Sequence, residues 1–183
     1  IDMDDLTGIG PFSVYPRTSG IEANQVVNLT GGTYMIENYR ARARVVFTNK
    51  NGMCQYRAVG HPVACAVGEG LVDAAARECD LEADEIRRRN FISSADMPYK
   101  TPLIFTYDCG EFEALMDQCL ENSDYHGFQG RREEAAARGR IRGIGISCTI
   151  EQAAAPQTET RRRAPTMKKG ISCRTCIPCA YLS

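Results

Sequence analysis

Three groups of residues in this 183-residue chain have the types and spacing to do chemistry. The first is Gln55-Tyr56-Arg57-Ala58-Val59-Gly60-His61-Pro62, a short extended piece that runs into a tight turn, with an arginine at the corner and a proline opening a helix. A turn at such a junction offers peptide N–H groups and a fixed guanidinium to an anion. His61 could touch a substrate there, although a histidine at a helix start also serves as a capping or surface residue. The second group is Arg40, Arg42 and Arg44, alternating with Ala41 and Ala43, which an extended backbone places on one side. They read as a solvated face or as salt-bridge partners between domains, with an acidic partner or a cofactor phosphate as the alternative. The third is Cys173-x-x-Cys176-x-x-Cys179, part of the spacing of an iron–sulfur ligand run. Three thiolates that close can bind a metal, but no fourth ligand follows at usable spacing and the flanks hold few core residues. The segment therefore reads as a divergent tail, with a redox or zinc site as the competing hypothesis.

Bulk properties narrow the classes. Hydrophobic residues make up 43% and charged residues 25%, the composition of an ordinary globular chain. A formal net charge of -1 gives no electrostatic reason to expect nucleic acid or an anionic membrane as partner. No apolar run is long enough to span a bilayer and no signal-peptide pattern stands at the start, so the expected location is cytoplasmic. The opening Ile1-Asp2-Met3-Asp4-Asp5 does not look like a natural beginning, which suggests a chain cut from something longer. Of the nine cysteines, Cys54, Cys65, Cys79, Cys109, Cys119 and Cys148 show no ligand spacing. They read as free buried thiols in a reducing compartment rather than as disulfides, with Cys65 in the core.

Positions 1–33 are rich in Gly, Pro, Ser, Thr and Asn and read as loops, with Gly31-Gly32 as a turn or a close approach. Strands are expected near 40–48, 53–57, 103–107 and 142–150 from alternation and branched residues. Helices are expected near 62–79, 81–90, 111–122 and 129–138. In the first of these, Ala66, Val67, Gly70, Leu71, Ala74 and Ala75 form the inward stripe, with Glu69, Asp73 and Arg77 outside it. Gly68 and Gly70 weaken that helix and imply close packing against a neighbour. Asp80 is the expected N-cap of the second helix, whose Ile86 points inward. The third buries Phe112, Leu115, Met116 and Cys119, while the fourth is mostly charge and alanine, exposed, and ended by Gly139. Glycines at 143 and 145 imply close approach by another backbone or a ligand.

The run Leu71-Val72-Asp73-Ala74-Ala75-Ala76-Arg77-Glu78, followed by Glu85-Ile86-Arg87-Arg88-Arg89-Asn90-Phe91-Ile92, resembles the molybdopterin-binding large subunit of the xanthine dehydrogenase / aldehyde oxidase family, nearest its carbon monoxide dehydrogenase-like branch. Further stretches agree in order: Val45-Val46-Phe47-Thr48-Asn49, Tyr56-Arg57 with Gly60 and Pro62, Met97-Pro98-Tyr99-Lys100-Thr101-Pro102, Thr106-Tyr107-Asp108-Cys109-Gly110-Glu111-Phe112-Glu113, and Gly139-Arg140-Ile141-Arg142-Gly143-Ile144-Gly145-Ile146. The resemblance covers positions 30–152, a middle slice of a much longer subunit.

The resemblance implies an α+β fragment of a molybdopterin-binding domain over 1–152, strands plus about four helices, with a divergent, disordered tail over 153–183. It implies a molybdenum-molybdopterin cofactor, touched by Tyr56, Arg57, Ala58, Val59 and Gly60. The implied activity is oxidation of an aldehyde or heteroaromatic carbon with oxygen taken from water. The implied partners are the remainder of the large subunit, an iron–sulfur subunit and an FAD subunit. The family's general base and its later pterin-binding segments have no counterpart in this chain, so no catalytic or metal-ligating residue is assigned and the isolated chain is expected to be inactive and to lose the cofactor. This chain departs from the family at Ala58, His61 and Val63; where copper-dependent members have a cysteine after the arginine, Ala58 has no ligand atom. The competing reading is a truncated, non-catalytic remnant or interaction module without cofactor.

Overall fold

A computed structural model describes residues 19–44, 58–150 and 176–178, with the side chains of 19–21 and 176–178 excepted. The described elements run α1 (Ser19–Leu29), α2 (His61–Glu78), α3 (Ala83–Asn90), a short 3-10 turn (Ser94–Asp96), β1 (Tyr99–Lys100), β2 (Thr106–Tyr107), α4 (Phe112–Asn122), α5 (Phe128–Ala137), β3 (Cys148–Ile150) and β4 (Cys176–Pro178). Among the described residues this is the mixed α and β architecture expected, with one helix more and much less strand. The chain divides into two compact units, Ile1–Asn90 with Lys100–Thr106, and Phe91–Tyr99 with Tyr107–Ser183.

In the first unit, α2 packs against both α1 and α3. The helix α1 corrects the expectation of loops over 1–33. The apolar residues in its sequence SGIEANQVVNL give only a weak helical period, so no periodic signal stands out, and its partner supplies the missing stabilisation. A Cβ on Gly68 of α2 would lie 2.8 Å from the Thr30 carbonyl, so the helix approaches the end of α1 closely there, as the glycine implied. Gly32 adopts φ +57 in the turn that follows. Burial on α2 falls on Ala64, Glu69 and Ala76, and Ala66 is exposed. The stripe anticipated from the sequence is therefore rotated toward a charged residue. Asp80 is not an N-cap: it adopts φ 54 in the turn after α2, and α3 begins at Ala83. Ile86 is buried as expected.

The second unit contains α4, which buries Phe112, Met116 and Leu120, with Leu115 and Cys119 half-covered at its margin. Helix α5 buries Ala135 alone. Gly139 at φ +69 ends it, and the N–H groups of Gly139 and Arg140 return to the carbonyls of Ala136 and Ala135. Strand β3 pairs antiparallel with β4, Cys148 opposite Pro178 and Ile150 opposite Cys176.

Several strand expectations shrink. Residues 40–44 are exposed and form no strand, while 45–48 and 53–57 lie outside the described residues. Of 103–107 only Thr106–Tyr107 is strand, and of 142–150 only Cys148–Ile150. A hypothetical Cβ on Gly143 or Gly145 meets nothing within 4 Å, which corrects the expected close approach. These segments have strand sequences, but a strand forms only where a second edge satisfies its peptide groups. Among the described cysteines Cys65, Cys79, Cys109, Cys119 and Cys148 form no disulfide; Cys148 is buried, Cys65 is only half-buried, and Cys79 and Cys109 are exposed rather than buried. No helix among the described residues is long and apolar enough to cross a membrane.

Candidate functional site

The turn that precedes α2 is built by backbone chemistry. Ala58 and Gly60 both take positive φ, 54 and 75, which folds the chain back on itself. His61 N–H donates to the Ala58 carbonyl at 2.8 Å, and Ala64 N–H to the Gly60 carbonyl at 2.9 Å, so the turn is a continuous extension of the helix. Pro62 sits in the first turn, where its missing donor costs nothing. The turn is also seated on α1. A Cβ on Gly60 would lie 2.8 Å from Gln25 Cβ, and 2.9 Å from both the Glu22 carbonyl oxygen and the Val26 nitrogen. Backbone atoms do not yield, so only glycine fits this cradle.

The chemistry at the turn suits an anion or a polar ligand. Gly60 caps α2 without any side-chain hydrogen bond, and no acidic residue lies in the helix's first turn. The positive end of the helix dipole is therefore not neutralised by a carboxylate of its own first turn. His61 Nδ1–H donates to the Val59 carbonyl at 3.1 Å, which leaves the lone pair on Nε2. That nitrogen is buried and has no hydrogen-bond partner. His61 is thus half-buried, and its side chain does not cap the helix. A buried acceptor left unsatisfied costs roughly 1–3 kcal/mol, so the turn has unfilled hydrogen-bonding capacity.

Of the five residues expected at the cofactor, Ala58, Val59 and Gly60 form this turn, and Tyr56 and Arg57 lie outside the described residues. Glu69 has a structural role that sequence reasoning missed. It is buried on α2 beside Arg87 of α3, whose side chain is 0% exposed. Arg87 donates from Nε and Nη2 to Glu69 Oε2 at 3.1 and 2.9 Å, and from Nη2 to Asp73 Oδ1 at 2.8 Å. Its Nη1 donates to the Ala83 carbonyl, and the Tyr34 hydroxyl donates to Glu69 Oε1 at 2.8 Å. Burial by itself would lower the guanidinium pKa; the Glu69 carboxylate and Tyr34, with hydrogen bonds to Asp73 and Glu69, outweigh it and hold it above its ordinary value. A signal was available: Glu69 and Asp73 are four apart on one helix face, where two carboxylates repel unless a cation lies between them. Arg87 was hidden within Arg87-Arg88-Arg89, which reads as a solvated basic end.

Among the described residues no group of three or more His, Cys, Asp or Glu side chains converges on a metal site. Cys173 and Cys179 lie outside those residues, and Cys176 is described only through the β4 backbone.

Comparisons with known proteins agree on one kinship. A family model described as a molybdopterin cofactor-binding domain matches residues 1–91. The nicotine 6-hydroxylase large subunit of Paenarthrobacter nicotinovorans is 32% identical over 143 residues, 78% of this chain and 17% of that protein. The carbon monoxide dehydrogenase large chain of Hydrogenophaga pseudoflava is 30% identical over 129 residues, 65% of this chain and 15% of that protein. The solved structure of quinoline 2-oxidoreductase from Pseudomonas putida 86 superposes with a TM-score of 0.66 at 31% identity, covering 76% of this chain and 17% of that one. The chain thus spans less than a fifth of the length of these relatives.

Proposed function

The chain belongs to the molybdopterin-binding large-subunit family of xanthine dehydrogenase and aldehyde oxidase, as part of such a subunit, and from that premise we propose that residues 56–60 contact the molybdenum–pterin cofactor of a hydroxylase. The observation that carries this reading is the turn itself: an uncapped helix end, a glycine cradle against α1, and the unpartnered His61 Nε2 all lie within four consecutive residues, 58–61. When bound, the cofactor would supply oxidation of an aldehyde or heteroaromatic carbon with oxygen drawn from water. The chain's own contribution is binding and orientation. Arg57 would supply a cation for a phosphate- and sulfur-rich anion, and the peptide groups of Ala58, Val59 and Gly60 supply a rim backed by the α2 dipole.

Relatives named for nicotine and quinoline favour a heteroaromatic substrate over an aldehyde. The methyl group of Ala58 has no ligand atom for copper, so oxidation of carbon monoxide by a copper–molybdenum centre is not part of the proposal. Relatives named as a large subunit and a large chain support work within an assembly, for which we propose the rest of the large subunit, an iron–sulfur subunit and an FAD subunit as partners. The absence of a disulfide among the described cysteines is compatible with a reducing cytoplasm. The remnant without cofactor has no observation in its favour.

The test is to co-produce the full-length subunit with its partner subunits in a host that makes the cofactor, and to measure molybdenum and pterin per assembly. Near-stoichiometric content is expected, with label from 18O-water entering the hydroxylated product of a pyridine or quinoline substrate. An assembly that contains neither molybdenum nor pterin overturns the reading.

A further inference from the structure

The turn that would face the cofactor is rigidly joined to α2, so whatever fixes the axis of α2 also fixes the turn. Two contacts do this. Near the start of the helix, Gly60 rests on the backbone of α1 at distances that leave no room for a methyl group. Nine residues further on, roughly 13 Å along the axis at 1.5 Å per residue, Glu69 is gripped by the fully buried Arg87. The grip has direction. Arg87 spends its Nε and Nη2 on Glu69, shares Nη2 with Asp73 one turn further along α2, and anchors its own Nη1 at the Ala83 carbonyl of α3. Tyr34 holds the other oxygen of Glu69 from the segment after α1, and Met35 N–H in that segment donates to the Asn90 carbonyl at the end of α3 at 2.8 Å. Gly68, next to Glu69, brings the helix against the Thr30 carbonyl. Rotation or sliding of α2 would have to break a planar fork of donors and press Gly60 into α1 together.

We propose that Arg87 is a positioning residue for the cofactor turn, acting through Glu69 and Asp73 to set the tilt and rotation of α2. This rests on the reading that residues 56–60 meet the cofactor. A lysine at 87 keeps the charge but, as a single flexible ammonium, cannot hold Glu69, Asp73 and the Ala83 carbonyl in one plane. Replacing the buried Glu69–Arg87 pair by apolar side chains leaves no buried charge uncompensated, since Asp73, with its side chain 43% exposed, is left to water, so the fold survives while the directional grip is gone.

The experiment uses the full-length subunit assembled with its partners and compares wild type with Arg87→Lys and the double variant Glu69→Leu/Arg87→Met. Molybdenum and pterin per assembly are measured beside the thermal midpoint and beside kcat and KM. Both variants are expected to fold, to lose at least threefold of their cofactor content, and to lower kcat in what remains loaded. Arg87→Lys is expected to sit between wild type and the double variant. Full loading in either folded variant overturns the proposal, as does a loss of cofactor that merely follows the folded fraction. Wild type without molybdenum sinks the cofactor reading instead, so the two failures are told apart.

Discussion

Ala58 holds φ 54 without being a glycine, and Gly60, two residues on, holds φ 75 against the backbone of α1. The two positions invite opposite substitutions. Ala58→Gly relieves a left-handed alanine and is expected to stabilise the chain by about 1 kcal/mol, read as a higher urea midpoint at unchanged slope. Gly60→Ala adds a methyl group 2.8–2.9 Å from atoms of α1 on top of the unfavourable φ, and should cost on the order of 2 kcal/mol or more in the same titration. Tyr39 offers a pH test. Its hydroxyl donates to the Val27 carbonyl at 2.6 Å, and burial raises its pKa above the ordinary value, with the Thr30 side chain acting in the opposite direction. A folded-state value above the unfolded one favours the neutral phenol in the native state. That contribution is fully present below about pH 10 and is lost as pH rises through the folded value. Thermal midpoints measured between about pH 8 and about pH 11 should therefore fall more steeply for wild type than for Tyr39→Phe.

At the scale of elements, α2 is held by a charge that its own sequence gives no reason to bury. Arg87→Met removes the cation and leaves Glu69 without its compensating charge, a loss expected to cost about 3–5 kcal/mol in urea unfolding. The C-terminus of α5 makes a cleaner measurement of local backbone strain. A Cβ on Gly139 would meet nothing within 4 Å, yet its φ is +69. Gly139→Ala should therefore cost about 1 kcal/mol through conformation alone, with no steric contribution, and Gly139→Asn should cost less. Equal stability of Gly139→Ala and wild type would mean that the left-handed cap is not a feature of the folded chain.

At the scale of the molecule, the chain covers 17% of one relative and 15% of another, and a cofactor cavity needs walls from more of the subunit than these residues provide. The 183-residue chain, produced alone in a cofactor-competent host, is expected to carry well under one molybdenum per chain by metal analysis. The full-length subunit with its partners should approach stoichiometry. Retention by the chain alone would mean that the turn before α2 binds the cofactor with far less support than proposed. The exposed segment 40–44 and the open surroundings of Gly143 and Gly145 fit the same picture, of strand sequences that meet no second edge among the described residues.

The family, the helices α2 to α5, the turn before α2 and the cap at Gly139 were all legible in the sequence. Each depends on local signals: ordered short motifs, a proline in a first turn, periodic apolar residues, a glycine after a charged helix. Helix α1 was not legible, because eleven residues with weak periodicity gain their stability from packing against α2 rather than from propensity. Nor were the strand limits, since a strand exists only where another strand meets its peptide groups. Sequence alone placed Glu69 outside the buried stripe and Arg87 in a basic helix end. Only the tertiary structure could bury both, because burying a carboxylate is favourable only when a cation reaches it in three dimensions, and seventeen residues lie between these two in the chain.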